Sequence, residues 1–354
     1  MPSKLSVSLA ACALAATTIL GAEATAAAPD PASGGSGGSG GSGASGVTVK
    51  LPAAVAGTLG SSPRPLVDAV TADVLSRSKD ARELAPSVAV GKLASQGRDV
   101  VVDVRSATSG WARGVAYVEA PATTEAHPEG WLFIARYTDG RWVSGVEGDR
   151  EFAEHVATSP LVGAAERRSM TAYANHQSVT AAANTGGLLL PWMPNYYMTL
   201  TGGPHAWDSV NGYWSSLDFA GGNASGRVRS SRDGTATSMC GAGGGWTRVI
   251  HPNGFSTDYY HMYNATYYNG TPVGTSALLG TIGRDVCAGG RATGDHVHWG
   301  LRTYDANYNG TYTWLHGRTI GGWAWWNGSS QYSGCATRLG VTACPGTAIY
   351  NRTS

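Results

Sequence analysis

The sequence predicts a mainly β protein, in which an antiparallel β-sheet domain with long loops follows a small α+β domain. Composition is the first reason, because the 354 residues include 50 Gly, 12 Trp and 16 Tyr but only 14% charged residues. This composition favours turn-rich β structure with aromatic surfaces over helix bundles. Patterning is the second reason, since the C-terminal half consists of short strand-like runs separated by turn signals and lacks long helical periodicity.

The elements can be assigned in order along the chain. In the N-terminal half, Leu66, Val70, Val74 and Leu75 have helical spacing, which predicts a helix over residues 65–84. Four strand-like runs come after this helix: DVVVDVRS, GVAYVEA, GWLFIARYTD and GRWVSGV. The C-terminal half contains six further runs that predict short strands: SSLDFA, GRVRSS, WTRVIHP, STDYYHMY, LLGTIG and HVHWGLRTY.

Changes in composition divide the chain into four segments. Residues 1–28 have the basic start, apolar run and small-residue stretch of a secretory signal peptide, so we expect a secreted protein. Residues 29–46 form a flexible Gly/Ser linker without a packed core. Residues 47–185 carry many charges, whereas residues 186–354 contain no Lys or Glu, ten Arg and seven Asp. The two large segments are therefore expected to be separate domains.

The stretch that joins the two large segments is polar, small and without a clear pattern around Arg167 and Arg168. We expect it to be an exposed joint, where proteases cut readily. A signal peptide, a charged domain, a cleavable joint and a Gly-rich domain together indicate a pro-enzyme, whose pro-region is residues 47–185. Two ordinary domains on a linker are the alternative. The net charge of +1 gives no reason to expect nucleic acid as a partner.

Cysteine usage supports an oxidising compartment. Cys12 lies in the signal segment, in a Leu-Ala-Ala-Cys sequence that also resembles a lipoprotein cleavage box, but the apolar run continues past it and favours ordinary secretion without a membrane anchor. The other four cysteines lie in the C-terminal half: Cys240, Cys287, Cys335 and Cys344. We expect the pairs Cys240–Cys287 and Cys335–Cys344, although order alone leaves three pairings open. A cysteine metal site is the alternative, but the short C-x-x-C spacing is missing.

The stretch DHVHWG contains two histidines, His296 and His298, within a predicted strand. Because successive strand side chains point to opposite faces, these two histidines should project from the same face. Taken alone, the pattern favours two histidines on a solvated strand face. The case for a site therefore depends on which other residues converge there.

Asp218 in SSLDFA alternates with apolar neighbours, and His205 in GGPHAWD is expected in a Gly-Pro turn. A carboxylate in such a strand needs a partner, because burial of an unpaired charge is costly. A metal is one such partner; backbone amides or an Arg are the alternative. Two imidazoles and one carboxylate around a fourth open position are the pattern of catalytic zinc. The helix-based metalloprotease motif HExxH is absent from the sequence.

From about Leu188 onward, the chain resembles the beta-lytic and staphylolysin branch of the lysostaphin-type zinc endopeptidases. The motifs LPW, GGPHAWD, SSLDFA, GFSTDYYHM and GDHVHWG occur in the family order, and the four cysteines have the family intervals. The resemblance covers about 170 residues. It implies an enzyme with one zinc ion per catalytic domain, residues 186–354, that hydrolyses peptide bonds in bacterial cell-wall peptidoglycan.

The resemblance also implies a role for each matching residue. His205, Asp218 and His298 become the zinc ligands, His296 the general base and His261 the second catalytic histidine. Asp208 could be mistaken for the ligand, since related D-alanyl peptidases use a closer His–Asp spacing, but SSLDFA favours Asp218. The resemblance further assigns Tyr260 to the substrate site, and we expect Tyr332 to contact substrate as well.

The implied function is a secreted, bacteriolytic zinc endopeptidase that cleaves Gly-containing bonds, acts as a monomer and is made as a pro-enzyme. The pro-region would inhibit the enzyme and assist its folding, with His176 or Asn175 occupying the open zinc position. Two alternatives are an elastolytic Gly-directed protease and a non-catalytic wall-binding protein on the same fold.

Three tryptophans near the C-terminus, Trp323, Trp325 and Trp326, could wall a narrow substrate groove or pack against the disulfide region. His251 and His316 have no assigned role, and we expect both to be surface or turn histidines.

Overall fold

A computed structural model describes residues 46–59, 63–123, 126–175, 185, 187–207 and 212–353. The expected signal peptide and the linker up to residue 45 lie outside the described residues, as do Asp208 and His176. The mainly β class and its antiparallel sheets are confirmed. Among the helices of the described ranges, none combines the length and the apolar character that crossing a membrane requires.

The N-terminal region, residues 46–175, contains a five-stranded sheet of order β1-β2-β3-β4-β5 with helices packed against it. Its strands are β1 Val47–Lys50, β2 Val100–Thr108, β3 Trp111–Val118, β4 Glu129–Thr138 and β5 Arg141–Val146. Its helices are α1 Ala53–Leu59, α2 Arg64–Arg77, α3 Pro86–Ser95, α4 Arg150–Thr158 and α5 Ala164–Asn175. The predicted α+β composition of this region is therefore present.

Helix α2 is shorter than the predicted helix over 65–84. Its apolar face, which includes Leu66, Val70 and Val74, is fully buried, as the spacing predicts. The helix ends at Arg77, because Ser78 is extended and the next peptide is bound by a side chain instead of by the helix. Glu129 accepts hydrogen bonds from the Ser78 hydroxyl at 3.3 Å and from the Lys79 amide at 3.1 Å.

The prediction of an irregular joint around Arg167 and Arg168 is wrong for the first half of that stretch, which forms helix α5. Polar contacts anchor much of this helix, so its sequence shows little apolar periodicity. Met170 is buried, and Glu166 accepts two hydrogen bonds of 2.8 Å from the buried guanidinium of Arg113. Residues 176–184, the second half of the joint, lie outside the described ranges.

The C-terminal region, residues 187–353, is built on one large antiparallel sheet of order β12-β9-β10-β11-β14-β7-β6-β20, with β15 paired to β14. Smaller sheets are β8-β13 and β16-β17-β18-β19. The strands are β6 Tyr197–Ala206, β7 Trp214–Ala220, β8 Arg227–Arg229, β9 Gly234–Ser238, β10 Thr247–Ile250, β11 Phe255–Tyr260, β12 Asn269–Val273, β13 Leu278–Thr281, β14 Val297–Tyr304, β15 Gly310–Tyr312, β16 Thr319–Ile320, β17 Trp323–Trp326, β18 Cys335–Arg338, β19 Val341–Ala343 and β20 Ala348–Tyr350.

Alternation along the central strands puts one face of the large sheet into the core. Leu217 and Phe219 of β7 are fully buried there, as are Val297, Trp299 and Leu301 of β14. The residues between them therefore face the opposite side of the sheet. This second face carries the polar residues that are described below.

Both expected disulfides are present, Cys240–Cys287 and Cys335–Cys344. They close sequence separations of 47 and 9 residues. On the chain-entropy model such loops contribute about 4 and about 3 kcal/mol to stability. The region beside the second disulfide buries Trp323 and Trp325 in the core, so packing rather than a groove wall explains these two tryptophans.

The prediction of a surface or turn position is wrong for His251, which is fully buried. It is confirmed for His316, which lies exposed in a turn. The His251 ring donates from Nδ1 to the Asp233 carbonyl at 2.9 Å, and its Nε2 lies 2.9 Å from the Thr257 hydroxyl. Burial lowers the pKa of His251 to about 4, although the Asp233 hydrogen bond works in the other direction. The ring is therefore held neutral in the folded protein.

This burial predicts a pH dependence of stability. Because an unfolded histidine titrates near pH 6.5, the unfolded chain takes up a proton first, and stability is lost as the pH falls from about 6.5 to about 4. The His251 contribution is at most about 3 kcal/mol. We expect His251→Asn to flatten the dependence of the urea midpoint on pH in this window. His316→Asn, at an exposed histidine, is the control and should leave the slope unchanged.

Candidate metal centre and active site

Three adjacent strands bring His205, Asp218 and His298 together on the polar face of the large sheet. His298 in β14 is directly opposite Asp218 in β7, so the two side chains share a face. The prediction that His205 lies in a turn is wrong, because this residue lies within β6. Irregular pairing between β6 and β7, on both sides of His205, aims its ring toward the same point.

The distances between these three residues fit a tetrahedral metal ion. His205 Nε2 lies 3.2 Å from His298 Nδ1 and 3.6 Å from Asp218 Oδ2, and His298 Nδ1 lies 2.9 Å from Asp218 Oδ1. A tetrahedral zinc site with ligands at about 2.0–2.1 Å places neighbouring ligand atoms about 3.3 Å apart. Across the described ranges, this is the one His/Asp group whose ligand atoms converge in this way. The residues present therefore fit a metal.

Hydrogen bonding sets up the ligand atoms. The ring of His205 donates from Nδ1 to the Gly203 carbonyl at 2.7 Å, which leaves the lone pair of Nε2 facing the Asp218 carboxylate. Two acceptors that face each other are an unfavourable pair unless a cation lies between them. This donor set of two imidazoles and one carboxylate is the one that zinc sites use.

Electrostatics keeps these groups in the protonation states that metal binding requires. Burial disfavours the charged form of Asp218, but the surrounding His205, His298 and His296 hold the pKa of this carboxyl below its usual range. Burial also lowers the pKa of His298 to about 4, against the effect of the Asp218 hydrogen bond. At neutral pH the site therefore contains a carboxylate and a neutral His298.

His296 lies beside this group on the same face as His298, as the strand alternation predicted. Its Nε2 is 3.9 Å from Asp218 Oδ1, and the side chain is partly exposed. The ring donates from Nδ1 to the Gly294 carbonyl at 2.8 Å, so the lone pair is on Nε2. An imidazole with this tautomer can accept a proton at the mouth of the site.

His261 is the second histidine at this edge, and its ring centroid lies 4.8 Å from that of His296. It follows the end of β11 with a φ of 66°, a left-handed conformation that breaks the strand alternation. For this reason Tyr260 and His261 lie on the same side, with ring centroids 4.3 Å apart, although adjacent strand residues normally point apart.

The hydrogen bonds of His261 change the role that it can have. Its Nδ1 donates to the Asp285 carbonyl at 2.8 Å, and burial lowers its pKa to about 3. A neutral ring with this tautomer offers only a lone pair at Nε2, so it can accept a hydrogen bond but cannot donate one there.

The two tyrosines expected at the substrate site lie in different places. Tyr332 has a φ of 67° and stacks on His205, with ring centroids 3.9 Å apart. Tyr260 is fully buried, and its hydroxyl donates to the Gly289 carbonyl at 2.7 Å. Tyr332 is thus beside the candidate metal centre, while the Tyr260 hydroxyl is bound elsewhere.

A histidine from the N-terminal region, His127, also lies in the site. Its ring stacks on His298, with centroids 3.6 Å apart and an angle of 7° between the planes, and its Nδ1 donates to the Trp207 carbonyl at 2.7 Å. Burial holds the pKa of His127 well below its usual range, so the ring is neutral. Sequence reasoning did not single out this residue, because it lies in an unpatterned loop before β4.

Known proteins resemble this chain. Beta-lytic metalloendopeptidase of Lysobacter enzymogenes is 31% identical over an alignment of 161 residues, and the match covers 41% of this chain and 85% of that protein. Protease LasA of Pseudomonas aeruginosa is 29% identical over an alignment of 238 residues, and the match covers 60% of this chain but only 54% of the relative. This chain therefore spans about half the length of that second relative.

Among solved structures, a novel M23 metalloprotease from the deep sea, pseudoalterin, is 32% identical to this chain. The match covers 47% of this chain and 99% of the other, with a TM-score of 0.41. No family model matches the chain.

Proposed function

This chain belongs to the beta-lytic family of metalloendopeptidases, and from that premise we propose that it is a secreted zinc enzyme that hydrolyses Gly-containing peptide bonds in bacterial peptidoglycan. The convergence of His205, Asp218 and His298, with His296 and His261 at its edge, is the observation that carries this proposal. All five side chains come from one chain, so the proposal needs only a monomer.

The proposed ligands of the zinc are His205 Nε2, His298 Nδ1 and an oxygen of Asp218. When bound, zinc supplies Lewis-acid polarisation of a carbonyl and makes water a usable nucleophile near neutral pH. The His296 Nε2 lone pair accepts the proton of the attacking water and returns a proton to the leaving amine. His261 accepts a hydrogen bond at Nε2 and orients the same water.

The N-terminal region meets the same face of the sheet through a glycine. Gly130 lies against Trp246, and a Cβ at this position would come within 2.5 Å of the Trp246 ring. The Gly130 carbonyl accepts a hydrogen bond of 3.1 Å from Arg248. A side chain at position 130 would therefore clash with this ring.

Substrate choice can be tested directly by mass spectrometry of digests of pentaglycine, peptidoglycan and elastin. We expect cleavage at Gly bonds in pentaglycine and release of cross-bridge peptides from peptidoglycan. Cleavage of elastin without release of peptides from peptidoglycan would refute the proposed substrate. Metal analysis of the same preparation should find one zinc per chain.

We further propose that residues 47–185 are a pro-region that keeps the enzyme latent and assists its folding. His127 covers one face of His298, and the Trp207 indole donates to the Pro128 carbonyl at 2.9 Å. One buried apolar cluster contains Tyr117 and Phe152 of the N-terminal region together with Trp246 of the C-terminal region. Such burial stabilises the folded chain and closes the site at the same time.

We assign the latency to His127. The two residues expected to occupy the open zinc position cannot be compared with it, because His176 and the side chain of Asn175 lie outside the described residues. Replacing His127 by Ala should raise cleavage of pentaglycine by the unprocessed chain about tenfold. The reason is that its hydrogen bond and ring stack contribute roughly 1–2 kcal/mol, and about 1.4 kcal/mol is tenfold in an opening equilibrium.

His155→Ala is the matched control for this prediction. His155 is another buried histidine of the N-terminal region, but its hydrogen bond to the Ile134 carbonyl and its contact with Trp111 stay within that region. The control should leave the unprocessed chain as slow as the wild type. An unprocessed wild-type chain that lyses cell walls as fast as the processed form would refute latency.

A further inference from the structure

A buried ionic cluster joins the N-terminal region to the C-terminal region beside the active site. Glu147, directly after β5, is 1% exposed, and its Oε2 accepts a hydrogen bond of 2.6 Å from Arg248 Nη1. Its Oε1 accepts a hydrogen bond of 2.7 Å from the Tyr304 hydroxyl, which in turn accepts one of 3.1 Å from Arg302. Both oxygens of this carboxylate are thus bound by residues of the C-terminal region.

The charges of this cluster balance only with Glu147 in place. Arg248 and Arg302 are the two cations, and Asp258 is the other anion, with hydrogen bonds of 3.1 and 3.3 Å from Arg248 and a distance of 4.0 Å to Arg302. All four residues are almost completely buried. Removal of the N-terminal region therefore takes away one of two anions and leaves two guanidiniums with one carboxylate.

A guanidinium that has lost its carboxylate partner attracts a replacement anion. The Arg302 side chain also has donor capacity to spare, because its Nε has no hydrogen-bond partner within the described part of the chain. Arginine pairs with a carboxylate through charge-assisted hydrogen bonds, which are stronger than neutral ones. The cluster is therefore a site for a carboxylate once Glu147 has left.

This cluster lies on the same face of the large sheet as the candidate metal centre, since Arg302 comes four residues after His298 in β14. A cavity of about 790 Å³ is lined by Trp207, Arg248, Arg302 and Tyr312, together with residues of the N-terminal region. Trp207 stacks on Tyr312, with ring centroids 5.1 Å apart. The centroid of the Trp207 ring also lies 4.7 Å from that of His298. A peptide that reaches the metal centre past Trp207 would meet the two arginines.

We propose that Arg248 and Arg302 form a carboxylate-binding subsite of the substrate cleft, and that Glu147 occupies this subsite in the unprocessed chain as an internal substitute for the substrate. The ligand class is a glycine-containing peptide that carries a carboxylate a short distance from the bond to be cleaved. This inference rests on the proposed function, since it assumes that the N-terminal region leaves the cleft.

The subsite can be tested in the full-length chain by chemical rescue, which does not depend on catalysis. Glu147→Ala should lower the Tm by roughly 10 °C, because it breaks a buried charge pair. Acetate has the same atoms as the glutamate side chain beyond Cβ, so it should restore several degrees of this loss at constant ionic strength. Acetamide, its neutral counterpart, should not restore the Tm. An equal response to the two compounds would overturn the proposal.

Glu129→Ala is the matched control, because Glu129 lines the same cavity but binds Ser78 and the Lys79 amide instead of the arginines. Its Tm should respond equally to acetate and acetamide. A preference for acetate as large as that of Glu147→Ala would show that the rescue is not specific to the arginine pair.

A second measurement needs no substitution and remains decisive if Glu147→Ala does not fold. The wild-type chain, expressed at full length and allowed to mature, is given acetyl-pentaglycine with a free carboxylate or an amide at its C-terminus. A second pair consists of two pentaglycine amides, one with a succinyl group and one with an acetyl group at the N-terminus. In one of the two pairs, we expect kcat/KM to be about tenfold higher for the peptide that carries the additional carboxylate. One charge-assisted hydrogen bond contributes about this factor.

Equal kcat/KM values within both peptide pairs would overturn the subsite while the proposed peptidase function stands. If no peptide is cleaved at all, the proposed function fails, and the acetate experiment still decides whether the arginine pair binds carboxylates.

Discussion

Replacing His296 by Ala is expected to lower turnover of pentaglycine by about 10²- to 10⁴-fold, the usual contribution of a general base. Zinc should stay bound, because His296 Nε2 is the more distant imidazole atom, 3.9 Å from the Asp218 carboxylate, whereas His298 Nδ1 is at 2.9 Å. Steady-state kinetics together with zinc analysis of the purified variant checks both parts of this prediction. KM should change little, since the substitution removes a proton acceptor and leaves the cleft intact.

His316→Ala is the control for this experiment, because it removes an exposed histidine in a turn. The variant should keep wild-type turnover and zinc content. If His296→Ala instead lost stoichiometric zinc while His298→Ala kept it, the assignment of base and ligand would be reversed.

Replacing His298 by Ala is expected to abolish both zinc binding and activity. His298 is almost completely buried, and its Nδ1 lies within 3.2 Å of the other two proposed ligand atoms. Because a metal that binds only the folded state stabilises it, free zinc at a thousand times its Kd contributes about 4 kcal/mol. A chelator should therefore lower the Tm of the wild type and leave the Tm of His298→Ala unchanged.

Two observations would contradict this second prediction. One is a His298→Ala variant that still binds one zinc per chain. The other is a chelator-dependent Tm that survives the substitution, which would place the metal elsewhere. His261→Ala is the informative companion, since loss of a residue that orients the water should lower activity without loss of zinc.

If residues 47–185 are a pro-region, as we propose, activation needs more than a cut in the chain. His127 stacks on His298, while Glu147 binds Arg248 and Tyr304 at a second place. Each contact would hold the N-terminal region after a single cleavage. Removal of the whole region, by further proteolysis or dissociation, would then be the activating step.

Several features follow from local patterns, and the sequence alone predicted them. Alternation of apolar residues placed Asp218 and His298 on the polar faces of their strands, because strand side chains have a period of two whatever the neighbouring chain does. Pairing of consecutive cysteines predicted both disulfides, and shared motifs located the five residues that the structure brings together.

Other features depend on contacts between distant parts of the chain, and only the tertiary structure decided them. Helix α5 is anchored by the Arg113–Glu166 pair rather than by its own periodicity. His261 faces the site through a left-handed backbone that no strand pattern predicts, and its carbonyl partner determines its tautomer. His127 and the Glu147 contact with Arg248 are invisible in the sequence, because packing between two domains leaves no periodic signal in either one.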